Sequence, residues 1–201
     1  MVKVTAANST DVEQAVTCLA AAFSRDPITG YLLQNDEGYA QRVSKFFSLL
    51  MRARIATGMP VLVARADTGI CGASMGYAAS HPDWPKDITE EWDRFERGIP
   101  GFTDRMAVYD GVAGQFKPRL PHYYLGVIGT DPARHGSGIG TRLIKSFCER
   151  SASDPASSGV YLETAQESNL RFYERAGFAE TGRGKLGNAT LWCMFLSHRR
   201  G

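Results

Sequence analysis

The sequence contains no run of apolar residues long enough to cross a bilayer, and its start, MVKVTAANST, has no apolar core of leader length. Both absences lead to the expectation of a protein in the reducing cytoplasm, without a membrane partner. Strong charge is missing too. With 23 basic and 21 acidic side chains the net charge is +2, and no dense basic stripe with interleaved aromatics occurs, which argues against a nucleic-acid partner. His198, Arg199 and Arg200 form a short basic end that reads as solvated. Cysteine is sparse: Cys18, Cys71, Cys148 and Cys193 are far apart and lack metal-ligand spacing, so no metal site is expected. Cys18, Cys148 and Cys193 fall in apolar periodic segments, where buried free thiols are the expectation. Repeats and low-complexity tracts are also lacking. What is present is ordinary core material, 43% apolar residues in 201, sufficient for one domain spanning 1–201.

Residues 2–5 read as a short strand, and Thr10 with Glu13 has the spacing of a capping box. Val12, Ala15, Val16, Leu19 and Phe23 then recur on one helical face until Asp26 and Pro27 break the pattern. Val43, Phe46, Phe47, Leu50, Met51 and Ile55 give a second amphipathic helix, closed by Gly58 and Pro60. Residues 61–64 and 70–77 read as a hairpin around Asp67 and Gly69. An irregular insertion follows, about 78–121, holding five of nine prolines together with Trp84 and Trp92. Within it, residues 89–97 and 104–116 have helical character; a packed lid and a substrate-binding role both fit such a segment. Beyond it come a strand at HYYLGVIG, a loop and helix with Ile139, Leu143, Ile144, Phe147 and Cys148 inward, and a strand at VYLET. A short helix at ESNLRFYERAG and a closing hairpin around GKLGN complete the chain.

The run HGSGIGT, residues 135–141, opens a helix just after a strand and a short loop. Glycines let the backbone approach a ligand closely, and the first amides of a helix lack intrahelical acceptors, so a phosphate group suits this place. Three phosphate-binding patterns compete. A P-loop needs a following Gly-Lys-Ser/Thr, which is absent. A dinucleotide fingerprint needs a third glycine where Thr141 stands. The third pattern is a loop for the pyrophosphate of coenzyme A.

The strand–DP–xxHGSGIG–helix segment, followed about thirty residues later by VYLETAQESNLRFYERAGF, resembles the GNAT superfamily of acetyl-CoA-dependent N-acetyltransferases. Within it, AVTCLAAAF, KPRLPHYYL, LETAQESNLRFYERAGF and LWCM look most like the puromycin N-acetyltransferase-like members. The resemblance implies an α/β (α+β) fold: a mixed, largely antiparallel central sheet with a splayed parallel strand pair, flanked by helices. It implies acetyl-CoA as donor cosubstrate, its arm held by main-chain groups of Ile128, Gly129 and Thr130 at a strand bulge. The pyrophosphate loop corresponds to Gly136, Ser137, Gly138, Ile139, Gly140 and Thr141, preceded by His135 where the family has Gln or Arg. Asn169 and Phe172 belong to the implied cofactor site, and Tyr173 matches the family's general acid. A backbone N–H at Ile128 or Thr130 suits the developing oxyanion, and Glu163 is the first candidate for base.

Other readings stand beside these. Tyr173 could simply pack on Phe172, Asn169 or Ser168 could cap the short helix, and Glu163 could be a structural partner of a Tyr or Arg. His122 and Tyr123 could line the acceptor side, although a histidine at a strand start is commonly solvated. The expected activity is acetylation of a primary amine on a small molecule in a ternary complex, by a monomer or homodimer. A peptide or protein amine is the alternative acceptor, favoured if Asp83, Asp87, Glu90, Glu91 and Asp93 line an open acidic groove. A non-catalytic acetyl-CoA-binding module is the third.

Overall fold

The structure, a computed structural model, describes residues 2–198; Arg199 and Arg200 of the basic end lie outside the described residues. The first strand, β1 (Lys3–Ala6), leads into a helical turn capped by Asn8 and Asp11, not by Thr10 and Glu13. Asn8 Oδ1 accepts from the Thr10 N–H, and Asp11 Oδ2 accepts from the Asn8 N–H, each at 2.9 Å. Two overlapping boxes are possible in this stretch. The upstream one wins because Asp11 also pairs with Arg65 on the neighbouring strand, at 2.6 Å. Helix α1 (Val12–Ala22) follows. The helical pattern does break before Asp26-Pro27, and the same pair starts a new helix: Asp26 Oδ1 accepts from the Thr29 N–H, Pro27 occupies the first turn, and α2 runs Pro27–Leu33.

Helix α3 (Tyr39–Ala56) and the strands β2 (Val61–Ala66) and β3 (Gly69–Tyr77) follow as the periodicity requires. The insertion contains two helices, α4 (Lys86–Arg97) and α5 (Phe102–Phe116). Then come β4 (Tyr123–Thr130), α6 (Ile139–Ala152), β5 (Gly159–Thr164), α7 (Leu170–Arg175), β6 (Ala179–Leu186) and β7 (Ala189–Ser197). The strands form one sheet in the order β1-β2-β3-β4-β5-β7-β6. Every neighbouring pair is antiparallel except β4–β5.

Successive strand residues point to opposite faces, and the two cores follow that alternation. Val61 and Val63 join α1, α2 and α3 on one face, while Leu62 and Ala64 join α6 on the other. Ile139, Leu143, Ile144 and Phe147 anchor α6, each burial worth about 1.5–3 kcal/mol. Cys148 is only partly buried; Cys18, Cys71 and Cys193 are buried free thiols. The described part of the basic end is docked: His198 Nε2 lies 2.9 Å from Ser151 Oγ, and its N–H donates to the Ser158 carbonyl.

The strand β4 breaks the alternation, and that break shapes everything downstream. Leu125 faces α6 whereas Val127, two residues on, faces α1 and α3. The register against β3 explains this, because Met75 pairs with Val127 but Tyr77 pairs with Tyr124. One extra residue of β4 is therefore bulged at Leu125–Gly126, just upstream of the 128–130 stretch where the resemblance places it. At the point opposite, Gly76 leaves no room for a side chain: a Cβ would sit 1.8 Å from the Tyr124 carbonyl oxygen. On its other edge β4 pairs with β5 only at Tyr123↔Val160 and Tyr124↔Tyr161. Beyond the bulge the two parallel strands part.

Candidate active site

A cleft of about 1510 Å³ runs from the mouth of that gap across the sheet, and every residue proposed above for catalysis or cosubstrate binding lines it. At one end lies the glycine-rich turn. Gly136 and Gly138 have φ of +79° and +77°, backbone that side chains rarely adopt, and a Cβ at either would meet nothing within 4 Å. The turn is thus open to a ligand rather than pressed against the protein. Gly138 caps α6, so the amides of Gly138, Ile139, Gly140 and Thr141 have no acceptor one turn below. Ser137 differs, because its N–H and hydroxyl both donate to the Arg134 carbonyl, at 3.2 and 2.6 Å. His135 is exposed and its N–H is held by the Pro132 carbonyl. The Phe172 ring lies beside Gly140, 3.5 Å from where its Cβ would be, and so carries α7 to the start of α6.

The next part is main chain. The Asp131 N–H donates to the Cys71 carbonyl, which fixes the phase of the β3–β4 ladder. By the antiparallel alternation, Gly129 and Val127 turn their amides toward β3, whereas Ile128 and Thr130 turn theirs toward the gap with β5. Gly129 has a different constraint, since a Cβ there would lie 3.0 Å from Leu19, Ala22 and Phe23 of α1. It lets the helix close down on the strand.

Tyr173 is 5% exposed and packs edge-on against Phe172 and Phe178, so the packing reading holds. Yet its hydroxyl has no hydrogen bond among the described residues and is not sealed, since only Arg54 Nε and Ser74 Oγ are buried without a partner. Burial, with the Asp26 charge second, pushes its pKa up and keeps it protonated. Asn169 precedes α7 but its side chain makes no cap hydrogen bond, and the turn before it is not capped by a side chain either. Both cap readings therefore fall away.

Glu163, on β5, faces the cleft from the far side of the gap. Tyr109, from α5, donates to Glu163 Oε2 at 3.1 Å and lies 3.1 Å from the Tyr124 hydroxyl. Burial raises the Glu163 pKa to about 7, while the Tyr124 and Tyr109 hydroxyls and the charge of Lys117 hold it from rising further; the neighbouring Tyr161 hydroxyl donates to the Ala113 carbonyl. A carboxylate poised near neutrality in a cleft can accept a proton and release it again. It is also the structural partner of a tyrosine, Tyr109. Tyr109 and Tyr124 rise in pKa for the same first cause, burial, and stay protonated donors.

His122 is neither solvated nor on the acceptor side. It is 8% exposed, its Nδ1 lies 2.7 Å from the Leu120 carbonyl, and it packs edge-on against Tyr161 and Phe195. Tyr123 is likewise buried toward α6, away from the cleft. Of the acidic residues of the insertion, Glu91 is bound by Lys45 and Arg52, and Glu90 lies 3.9 Å from Lys86. Three cleft residues escaped the sequence reading: Tyr109, Tyr124 and Arg54. Arg54 carried a signal, because it stands four residues after Leu50 and seven after Phe47, on the apolar face of its helix. Tyr109 follows Phe102 and Met106 in the same way.

Residues 58–180 match the acetyltransferase (GNAT) domain family. Similar solved structures include one described as histone acetyltransferase HPA2 and related acetyltransferase from Corynebacterium glutamicum. It has a TM-score of 0.75 and 22% identity over 100% of this chain and 98% of that one. The polyamine N-acetyltransferase of Drosophila melanogaster, which forms N-acetylagmatine, has a TM-score of 0.68 and 17% identity over 98% and 100% of the two chains. A GNAT family acetyltransferase from Brucella melitensis, solved with acetyl-CoA, reaches 0.55 and 16% over 100% and 92%. At these identities the structures bear on the fold alone. With the open glycine turn at the head of α6, the parted strands and the family match over most of the chain, the protein belongs to the GNAT acetyltransferases, enzymes whose cosubstrate is acetyl-CoA.

Proposed function

We propose that the chain acts as one domain, residues 1–201, that acetylates the primary amine of a small molecule, and that it stands with the puromycin N-acetyltransferase-like members of its family. The observation that carries this reading is Glu163, a carboxylate of raised pKa facing the gap between β4 and β5. The acceptor end is walled by Phe46, Leu50, Trp84, Trp92 and Tyr109, with insertion residues among them. Those walls favour a compact acceptor over a peptide, and of the five acidic residues of the insertion only Asp83 lines the cleft, while Glu91 is bound by Lys45 and Arg52.

The residues divide the work as follows. Acetyl-CoA supplies an activated acetyl group as a thioester. The amides of Gly136 and Gly138 to Thr141 hold its pyrophosphate, each charge-assisted hydrogen bond worth about 1.5–3 kcal/mol, and Phe172 and Asn169 flank the arm. Ile128 and Thr130 offer main-chain groups in the gap, where an N–H can meet the negative charge that develops on the acetyl oxygen. Glu163, directly or through one water, takes the proton that the amine must lose to form the new C–N bond. Tyr173 returns a proton to the sulfur as the C–S bond breaks. No covalent enzyme intermediate is required when the amine is held in line.

A thiol-release assay with acetyl-CoA tests this, using a panel of small amines beside peptides with free N-termini and lysines. We expect turnover with small amines and little with peptides. Faster turnover with peptides would reverse the acceptor class, and saturable acetyl-CoA binding with no thiol release for any amine would refute transfer.

A further inference from the structure

At the acceptor end of the cleft, one side chain has no place in the chemistry above. Arg54 is 4% exposed, and burial depresses its pKa. Its guanidinium lies over the Tyr77 ring, 4.4 Å from the centroid, and Nη1 donates to the Leu50 carbonyl at 3.1 Å. No other group among the described residues accepts from it. Among the described residues it has no carboxylate within ion-pair distance, and its Nε is buried with no hydrogen-bond acceptor. Nη2 also has no partner there, but it is not among the sealed atoms and so keeps an opening. Buried arginines are ordinarily paired, because an uncompensated charge in the interior is strongly unfavourable. The acidic residues that line this cleft do not supply the missing partner. Asp26 is taken up by Thr29, Asp110 feels Lys117, Glu163 is held by tyrosines, and Asp83 is not among the groups whose charge acts on Arg54.

The arrangement around Arg54 gives it a direction. Tyr77 on β3 pairs with Tyr124 on β4, and Tyr124 pairs with Tyr161 on β5, two residues before Glu163. These side chains therefore share one face of the sheet, with Arg54 over the β3 end and Glu163 at the β5 end. Two strand spacings across the sheet and two residues along β5 separate the two backbone positions, about 12 Å in all, a gap that the side chains shorten. A cation waits at one side and a proton acceptor at the other, with Tyr124 between them feeling both. His81 stacks on Tyr77 at 4.5 Å and adds a second polar group next to Arg54.

Building on the amine-acetylation reading, we infer that the acceptor is an amino acid-like molecule whose carboxylate binds Arg54 while its amine is presented to Glu163 and the acetyl group. Nη2, the guanidinium nitrogen that keeps an opening, can donate a charge-assisted hydrogen bond to a carboxylate oxygen. A short zwitterion bridges the separation: one hydrogen bond to Glu163, the few ångströms between amine and carboxylate, and one hydrogen bond to Arg54. The aromatic wall formed by Phe46, Trp84 and Trp92 receives the rest of the molecule.

The test uses the full chain with acetyl-CoA and matched pairs of glycine, β-alanine, leucine, phenylalanine and tryptophan, each as free acid and as carboxamide. At least one free acid should be acetylated with a kcat/KM about 10- to 100-fold above its amide. The amide has the less basic amine, so nucleophile availability alone favours the opposite order. Arg54→Met should erase the preference by raising the KM of the acid, and Arg54→Lys should restore part of it. Amides used as well as acids by the native chain would overturn the inference and leave amine acetylation standing. A preference that survives in a folded Arg54→Met variant would overturn the role of Arg54. Failure of every acid and every amide to release CoA would overturn both this inference and the small-amine reading.

Discussion

Replacing Glu163 by Gln separates its cost to the fold from its use in the reaction. The native carboxyl titrates near 7, against 4.5 when free. The folded state therefore binds this proton more tightly than the unfolded chain. Stability from Glu163 is fully present below 4.5 and is lost as the pH rises through 7. Between pH 5 and pH 8 the linkage relation gives a loss on the order of 2–3 kcal/mol from this one group. For a domain of this size that is about 5–10 °C in Tm. Other groups also titrate in this window, so the quantity to measure is a double difference: the change in Tm from pH 5 to pH 8 in the native chain minus that in Glu163→Gln. The variant should be less sensitive to pH by this amount and more stable than the native chain at pH 8, while its kcat at pH 8 falls about 100-fold or more. Equal pH sensitivity of the two proteins would refute the raised pKa, and unchanged turnover would refute the base assignment.

Removing the Tyr109 hydroxyl takes away a hydrogen bond to the ionised carboxylate, so Tyr109→Phe should move the acidic limb of the kcat/KM profile to higher pH; a limb that stays or moves down contradicts the network. Tyr173→Phe should lower kcat by about 100-fold with little change in acetyl-CoA affinity, read by single-turnover kinetics and calorimetry. Acetyl-CoA at a hundred times its Kd should raise the native Tm by about 5–10 °C. In Gly138→Glu, where a bulky anion enters the open turn, that rise should vanish; a retained rise would place the pyrophosphate elsewhere. Gly76→Ala forces a Cβ onto the Tyr124 carbonyl oxygen and the Phe147 ring, and should destabilise the fold by about 1–3 kcal/mol or more in denaturant unfolding.

The second half of the chain was legible because its signals are local. The turn, the cap and the helix around Gly138 all lie within a few residues of one another, and the alternation in β5 and β7 sets their faces. Asp26 and Pro27 show how a local signal can be read by half: the first helix ends before them, and they also open the next. Acid-then-Pro opens a helix as readily as it ends one, and only the Thr29 N–H on Asp26 decides. The β4 bulge was placed too far along because it depends on the partner strand: Gly76 has to yield to the Tyr124 carbonyl. Glu163 could be picked out in sequence, but its partners could not. Tyr109 lies 54 residues away, and Arg54 comes from a helix on the far side of the insertion. Their meeting is a product of tertiary packing, to which no spacing rule applies.

The pinch at Tyr123–Val160 and Tyr124–Tyr161 has a mechanical consequence. Seven strands form one sheet, yet the backbone bonds joining its two halves are confined to one end of a single strand pair. The sheet is therefore creased, like a book held at one end of its spine, with β1 to β4 as one cover and β5 to β7 as the other. Amide deuterium uptake should register this. Ile128 and Thr130 should exchange quickly while no ligand is present and slow sharply once a pantetheine arm fills the crease, with Val127 and Gly129 little changed.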